Sequence, residues 1–323
     1  MVWQKNYRLH SISYFPDGPV TATIISGMST ATINGNPDVQ REVTAGSIFA
    51  ETASLNTIRP VVSFTTFNIE AALDGPGLGG AASCITSAVN PGVFLYYARY
   101  DCAGPDVTAG DHLQYGIAQG VMVPTSLNVD HRGDATISYD IFVDYDGTTL
   151  PIAKSDVAFG GLPVLTGTNS QRWTMDKMEI GGVLVEGKRN ITVNFNSTIT
   201  QEGADSSQYD SVSSIDGMLQ QVTVQGVDPD WFEETASPPA PAITGIVGET
   251  FLEGDPTRFY LKDRNVPIAT TNHILLEFNG LANWDTIVTG DASSPAGSTL
   301  NIDLHSDGAN PPITATTGVA IPP

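Results

Sequence analysis

GVMVPTSLNVDHRGDATISYDIFVDYDGTTLPI, residues 120–152, and GLANWDTIVTGDASSPAGSTLNIDLHSDGANPPI, residues 280–313, pass through the same succession of local features. Each leaves an apolar strand start through a polar turn containing glycine, enters an alternating strand, and ends on Asp-Gly, a short polar stretch and Pro-Ile. Asp146-Gly147 and Asp307-Gly308, Pro151-Ile152 and Pro312-Ile313, and His112 and His273 all stand 161 positions apart. Further upstream Phe94 answers to Phe259 at a spacing of 165. A fixed period is read before any fold is named, because it changes what one domain is. The 323 residues are close to twice that period, so the chain reads as one domain written twice, residues 1–163 and then 164–323.

The register reaches, more weakly, into the start of each half. Thr21-Ala22-Thr23-Ile24-Ile25 opens one strand-loop-strand unit and Asn190-Ile191-Thr192-Val193-Asn194 opens another. Each unit contains a long polar excursion, residues 34–55 and 201–215, expected to be equivalent hairpin arms. On this partition the Gly-rich 74–80 and the Pro-rich 234–241 are matching loops. A rival partition puts the boundary at 238–241 and leaves a small immunoglobulin-like domain at the C-terminus.

Runs rich in Val, Ile, Thr, Tyr and Phe, bounded by Gly, Pro, Asn or Asp, dominate the chain, as expected of strands. They fall at 20–26, 60–70, 92–100, 116–124, 135–143, 190–200, 218–226, 258–262, 273–278 and 298–304. The 32 Gly and 21 Pro supply the turns, and helix candidates are short: 69–73 and 231–235. The fold class is mainly β, sandwich or barrel.

Fourteen Lys and Arg against 35 Asp and Glu leave a net charge of −21, which disfavours partners that are themselves polyanions and need a basic surface. Only 15% of residues are charged, against roughly 25% in ordinary globular proteins. The surface is therefore largely neutral and polar, or buried against partners. No apolar run approaches the roughly 18 residues of a membrane span, and no apolar segment follows Lys5 and Arg8 as a secretory signal requires.

Catalytic chemistry is not indicated. His10, His112, His131, His273 and His305 have no metal-binding spacing, and no nucleophile elbow is present. His112 and His273, being repeat equivalents ahead of a strand, suggest a structural turn role. The Gly75–Gly80 cluster lacks the Lys and Ser or Thr of a phosphate loop. Asp140, Asp144 and Asp146, or Glu202, Asp205 and Asp210, are candidate oxygen ligands for a hard cation, though charged turns explain them as well. Trp173, Met175 and Met178 fit either an interface patch or core. Cys84 and Cys102 fit either a bridge or two free thiols. No catalytic, cofactor-binding or metal-binding residue is assigned.

The alternating pattern, the 120–152 stretch, SIDGMLQQVTVQG at 214–226 and the long polar arms together resemble the major tail tube proteins of long-tailed, non-contractile bacteriophages. The resemblance implies a small β-sandwich or barrel domain with a flanking helix and a long hairpin, joined sheet to sheet around a ring. It further implies six domains per ring, so a duplicated chain closes as a trimer with pseudo-sixfold symmetry. Partners are then other copies, further tail proteins (tape measure, terminator, distal tail), and genomic DNA passing through without specific binding. The location implied is the virion tail, assembled in the host bacterial cytoplasm. Two alternatives share the composition: another virion component, such as a tail terminator or capsid decoration protein, and a carbohydrate-binding β-sandwich pair.

Overall fold

The computed structural model describes residues 5–15, 22–43, 45, 48–78, 84–86, 92–101, 104–165, 171–180, 183–185, 187–203, 207–227, 249–251, 256–291, 294–306, 308 and 311–323. The chain is mainly β, with several antiparallel sheets and almost no helix. Strands are numbered in chain order. One five-stranded sheet contains β1 (Tyr7–Tyr14), β2 (Thr23–Ile25), β8 (Val93–Arg99), β9 (His112–Ile117) and β12 (Ile152–Val157), in the order β12-β9-β8-β1-β2. Another contains β13 (Trp173–Ile180), β14 (Val183–Leu184), β20 (Thr257–Asp263), β21 (His273–Phe278) and β24 (Ile313–Val319), in the order β24-β21-β20-β13-β14.

Both pack against a ten-stranded sheet. Its first part holds β3 (Met28–Asn34), β6 (Val61–Thr66), β7 (Cys84–Thr86), β10 (Gln119–Asp130) and β11 (Thr136–Val143). Its second holds β15 (Asn190–Asn194), β18 (Gln221–Val227), β19 (Glu249–Phe251), β22 (Gly280–Asp291) and β23 (Ser294–Leu304). The order runs β19-β22-β23-β18-β15-β10-β11-β6-β3, with β7 also on β10. Two further hairpins stand apart, β4 (Pro37–Glu42) with β5 (Thr52–Ile58), and β16 (Ser197–Gly203) with β17 (Asp210–Met218).

Alternation explains the packing. β11, TISYDIFV, buries every second residue, Ile137, Tyr139, Ile141 and Val143, and leaves Thr136, Ser138, Asp140 and Phe142 partly exposed on the other face. A strand with one wet face has to read this way. The buried sides meet in one continuous core that runs from Ile12, Leu95 and Ile117 through Phe64 and Tyr139 to Trp173, Val193, Val222 and Phe259. Tyr139 stacks on Phe64 at 5.2 Å and donates its hydroxyl proton to the Gly77 carbonyl at 2.7 Å. Burial pushes its pKa up. This hydrogen bond ties the one described α-helix, α1 (Ile69–Asp74), to the sheet, and the Asn68 side chain caps that helix by accepting from the Ala71 N–H.

The structure redraws several expected strands. The run 116–124 is two strands, since the chain crosses from one sheet to another at Ala118, between β9 and β10. It crosses likewise at Asn279, between β21 and β22. The run 190–200 also divides: β15 ends at Asn194, and Asn196 takes a positive φ of 43° before β16 leaves the sheet. Strands β1, β12, β13 and β24 extend beyond the expected set. The helix candidate at 231–235 and the loop at 234–241 lie outside the described residues.

Gly120 opens the repeat stretch with φ +151°, and a Cβ there would fall on the Phe142 carbonyl oxygen across the β10–β11 ladder. At Gly280 an added Cβ would lie 2.6 Å from the Asp303 carbonyl oxygen. Both stretches therefore carry, at or next to the start of the strand, the one residue that admits so close a backbone approach. Gly120→Ala should destabilise the chain by roughly 2 kcal/mol or more through strain and overlap. Gly35→Ala, where an added Cβ meets nothing within 4 Å, should stay within about 0.5 kcal/mol of wild type. Urea denaturation followed by circular dichroism measures both.

Candidate assembly surfaces

Three features stand out once the core is accounted for: the open face of the ten-stranded sheet, its end strands β19 and β3, and the two arms.

The open face is carpeted with neutral polar side chains: Thr32, Ser63, Thr65, Ser138, Ser126, Asn128, Thr192, Asn194, Thr223 and Asn301 lie on it by strand parity. They bond to one another across strands. Thr65 and Ser138 hydroxyls are 2.8 Å apart, Thr192 donates to the Asn128 side chain at 3.1 Å, and Thr223 donates to Asn301 at 3.0 Å. Asp130, Asp140 and Asp303 share this face. None of the ten strands contains a Lys or Arg. The two smaller sheets, by contrast, hold Arg8, Arg99, Lys154, Lys177, Arg258 and Lys262.

At the middle of that sheet β15 pairs antiparallel with β10, from Ser126 opposite Asn194 to Asp130 opposite Asn190. The Phe195 N–H donates to the Thr125 carbonyl and the His131 N–H to the Arg189 carbonyl, at 3.1 and 2.7 Å. Arg264 and Arg172 both reach Asp134 beside this joint, at 2.6 and 3.7 Å.

The two polar excursions form hairpins: the first is displaced by three residues, Pro37–Ile58 rather than 34–55, and the second is longer than expected, Ser197–Met218 rather than 201–215. Each leaves the sheet through an asparagine of positive φ, Asn36 at 40° and Asn196 at 43°. Asparagine tolerates this left-handed conformation better than other residues with a Cβ. The second arm lies against the first half of the chain. Ile58 bridges to Tyr209, the Ser213 N–H and hydroxyl donate to Asp144 at 2.9 and 2.5 Å, and Arg59 pairs with Asp210 at 2.8 Å. Burial pushes the Asp144 carboxyl up, opposed by those Ser213 hydrogen bonds. The first arm meets the second only at its base, through Ile58, among the described contacts; β4 is exposed along its whole length, and Val39, Val43, Ile48, Phe49 and Leu55 are exposed.

The other singled-out residues have structural settings. Trp173, Met175 and Met178 are buried in the core rather than forming a patch. His112 and His273 are fully buried at equivalent positions, and each accepts a backbone N–H through Nδ1, from Arg99 at 2.9 Å and Asp263 at 3.1 Å. The acidic groups do not converge. Asp146 holds its own turn, accepting from Thr148 and Thr149, which keeps its pKa well below the usual range; Asp140 is on the open face; and Asp205 lies outside the described residues. Among the described residues no three His, Cys, Asp or Glu side chains gather as a metal site would need. Gly75 ends α1. Cys84 is an exposed free thiol, and Cys102 lies outside the described residues. No described helix is long and apolar enough to cross a membrane.

Sequence reasoning missed the open face because its members are unremarkable one by one. The available sign was the absence of Lys and Arg from ten strands spread along the whole chain. These features define a class: an antiparallel β protein with a polar sheet face whose strands carry no Lys or Arg, and with two hairpin arms, the first of them exposed along β4. No protein-family model and no curated protein sequence matches the chain.

Proposed function

We propose that this protein is a structural virion protein, the tail tube subunit of a siphophage-like virus. It consists of two tandem copies of one sandwich domain, residues 1–163 and 164–323. Three subunits close a pseudo-sixfold ring, rings stack through the arms and through contacts with other tail proteins, and DNA travels down the lumen during ejection. It acts without catalysis.

The observation that carries this reading is the open sheet face, where ten strands offer hydroxyls, amides and carboxylates but no cation. Duplex DNA is held non-specifically by Lys and Arg that displace its counterions. A wall lacking them repels phosphates weakly and binds them nowhere, so DNA slides. The two five-stranded sheets support the tandem reading, since β12-β9-β8-β1-β2 and β24-β21-β20-β13-β14 follow the same path through the two halves. The acidity fits as well: three subunits of −21 each carry −63, a charge that water and the lumen can bear but a dry interface cannot.

Negative-stain electron microscopy of the purified protein, with increasing concentration and salt, tests the reading. Rings with threefold or sixfold symmetry that stack into tubes with a central channel are expected. Monomers alone, at every concentration, would refute it.

A further inference from the structure

We infer that the chain polymerises by repeating its own internal joint: the free edge of β3 in one molecule adds to the distal half of β22 in the next, in the register that β15 uses on β10. This inference rests on the proposed tube function and names the partner surface for it, a second copy of this chain.

The strand ladders fix the equivalences. Asn34 is opposite Val61, and Val61 opposite Phe142; Asn194 is opposite Gln221, and Gln221 opposite Asp303. Asn34 therefore corresponds to Asn194, Ile33 to Val193, Thr32 to Thr192 and Ala31 to Ile191. On the other side, β7 covers residues Gln119 to Val121 of β10, and β19 covers Gly280 to Ala282 of β22, one residue further along when Gly120 is matched with Gly280. The rest of the β10 edge, Ser126 to Asp130, is taken by β15. The corresponding stretch of β22, 286–291, is one residue longer because its pairing with β23 shifts register between Thr286 and Thr289, and on the edge away from β23 it has no strand beside it among the described residues.

Burial differs between the covered and open members of each pair. Leu127 on β10 is 0% exposed, whereas Val288 on β22, in the irregular stretch between Thr286 and Thr289, is 58% exposed. Ile191 and Val193 on β15 are fully buried, while Ala31 and Ile33 on β3 are only partly so. Apolar side chains at an open edge are the mark of a missing neighbour.

Backbone polarity agrees. The Arg59 N–H donates to the Asn36 carbonyl, so alternation along β3 turns Thr30, Thr32 and Asn34 toward β6 and leaves the N–H and C=O of Ala31 and Ile33 on the open side. In the internal joint the same alternation makes Ile191–Val129 and Val193–Leu127 the hydrogen-bonded pairs. The intermolecular pairs are then Ala31–Gly290 and Ile33–Val288, with Thr32 facing Thr289 as a non-hydrogen-bonded pair. The same displacement carries the exposed first arm onto the second half of the neighbour, at the position matching Asp144, which is His305. A groove of about 630 Å³ lies there, lined by Met218, Leu304, His305, Ser306, Pro312 and Ile313. Such a head-to-tail contact repeats without limit unless its rotation closes a ring.

Cross-linking tests the register. Facing residues of a non-hydrogen-bonded antiparallel pair have Cα atoms about 4.5 Å apart, within disulfide range. In a Cys84→Ser, Cys102→Ser background, mild oxidation of Thr32→Cys/Thr289→Cys should yield a ladder of covalent oligomers. The off-register pair Thr30→Cys/Thr289→Cys should give about tenfold less. Ala31→Pro, which removes an N–H on the edge of β3 that has no strand beside it among the described residues, should abolish assembly with little change in monomer melting temperature. Rings or tubes by microscopy without preferential in-register cross-linking would overturn the joint and leave the tube function standing. In-register ladders that end in isolated rings would leave the joint and overturn the tube. Protein that neither assembles nor cross-links overturns both.

Discussion

Tubes assembled from Asp130→Lys/Asp303→Lys protein should retain linear duplex DNA, whereas wild-type tubes release it. Both carboxylates sit at exposed positions on the open sheet face, each at the end of a short polar network. Asn190 donates to Asp130 at 2.5 Å, and Gln221 and Asn283 donate to Asp303 at 2.7 and 3.2 Å. Losing exposed hydrogen bonds of this kind costs little in folding, so the fold should survive the exchange. The effect on DNA is much larger, because cations repeat at every ring and act together. A protein that neutralises about six to ten phosphates loses roughly 10³–10⁵ in affinity between 50 and 200 mM salt. Retention by the lysine tubes should therefore be strong at low salt and fall with that steepness. Asp156→Lys/Asp176→Lys, on strands β12 and β13 of the smaller sheets, makes the same charge change in the other layer and should leave DNA release as it is. Co-sedimentation of tubes with labelled DNA across a salt series reads the difference. Retention by the second variant instead of the first would mean that the smaller sheets line the channel.

The parts of the fold legible in the sequence are those where the two halves keep the same constraint. His112 and His273 stand 161 positions apart because each fills the same buried corner and accepts a backbone N–H there. Gly120 and Gly280 recur because a carbonyl of the paired strand leaves no room for a Cβ. Boundaries were legible only where polarity changes with structure. At Ala118 the chain crosses between sheets within YGIAQGVMV, where Gly116 and Gly120 both lie inside strands and no turn sequence separates β9 from β10. β13 hides its alternation in WTMDKMEI because a register shift between Met175 and Met178 interrupts the period of two. β15 and β16 read as one strand because Asn194-Phe195-Asn196 bends through a left-handed asparagine rather than a glycine or proline. The joint between β10 and β15 depends on partners 60 to 68 residues apart in sequence, and no local pattern announces a contact of that kind.

Ile48→Ser/Phe49→Ser should abolish tube formation while leaving the melting temperature of the isolated subunit unchanged. Ile48 is 87% and Phe49 74% exposed, so in the lone molecule neither contributes appreciably to burial, and their loss takes nothing from the core. In the assembly the outcome differs, because the two arms of the chain are one device in two states. The second arm already rests on the first half of the chain, Ser213 on Asp144 and Asp210 on Arg59. The first carries the exposed apolar residues, which are costly to leave in water and gain about 1.5–3 kcal/mol per large side chain when buried. Repeated at every subunit, even half that gain per residue decides between tubes and free subunits, since each 1.4 kcal/mol is tenfold in affinity. The matched change on the bedded arm, Val212→Ser, exposes the contrast: Val212 is 57% exposed within an arm held by polar contacts, and its loss should weaken assembly far less. Sedimentation velocity alongside differential scanning calorimetry separates the two quantities. A lowered melting temperature for the arm variant would mean that the first arm folds onto its own subunit, and the neighbour would then have to be held by the sheet edge alone.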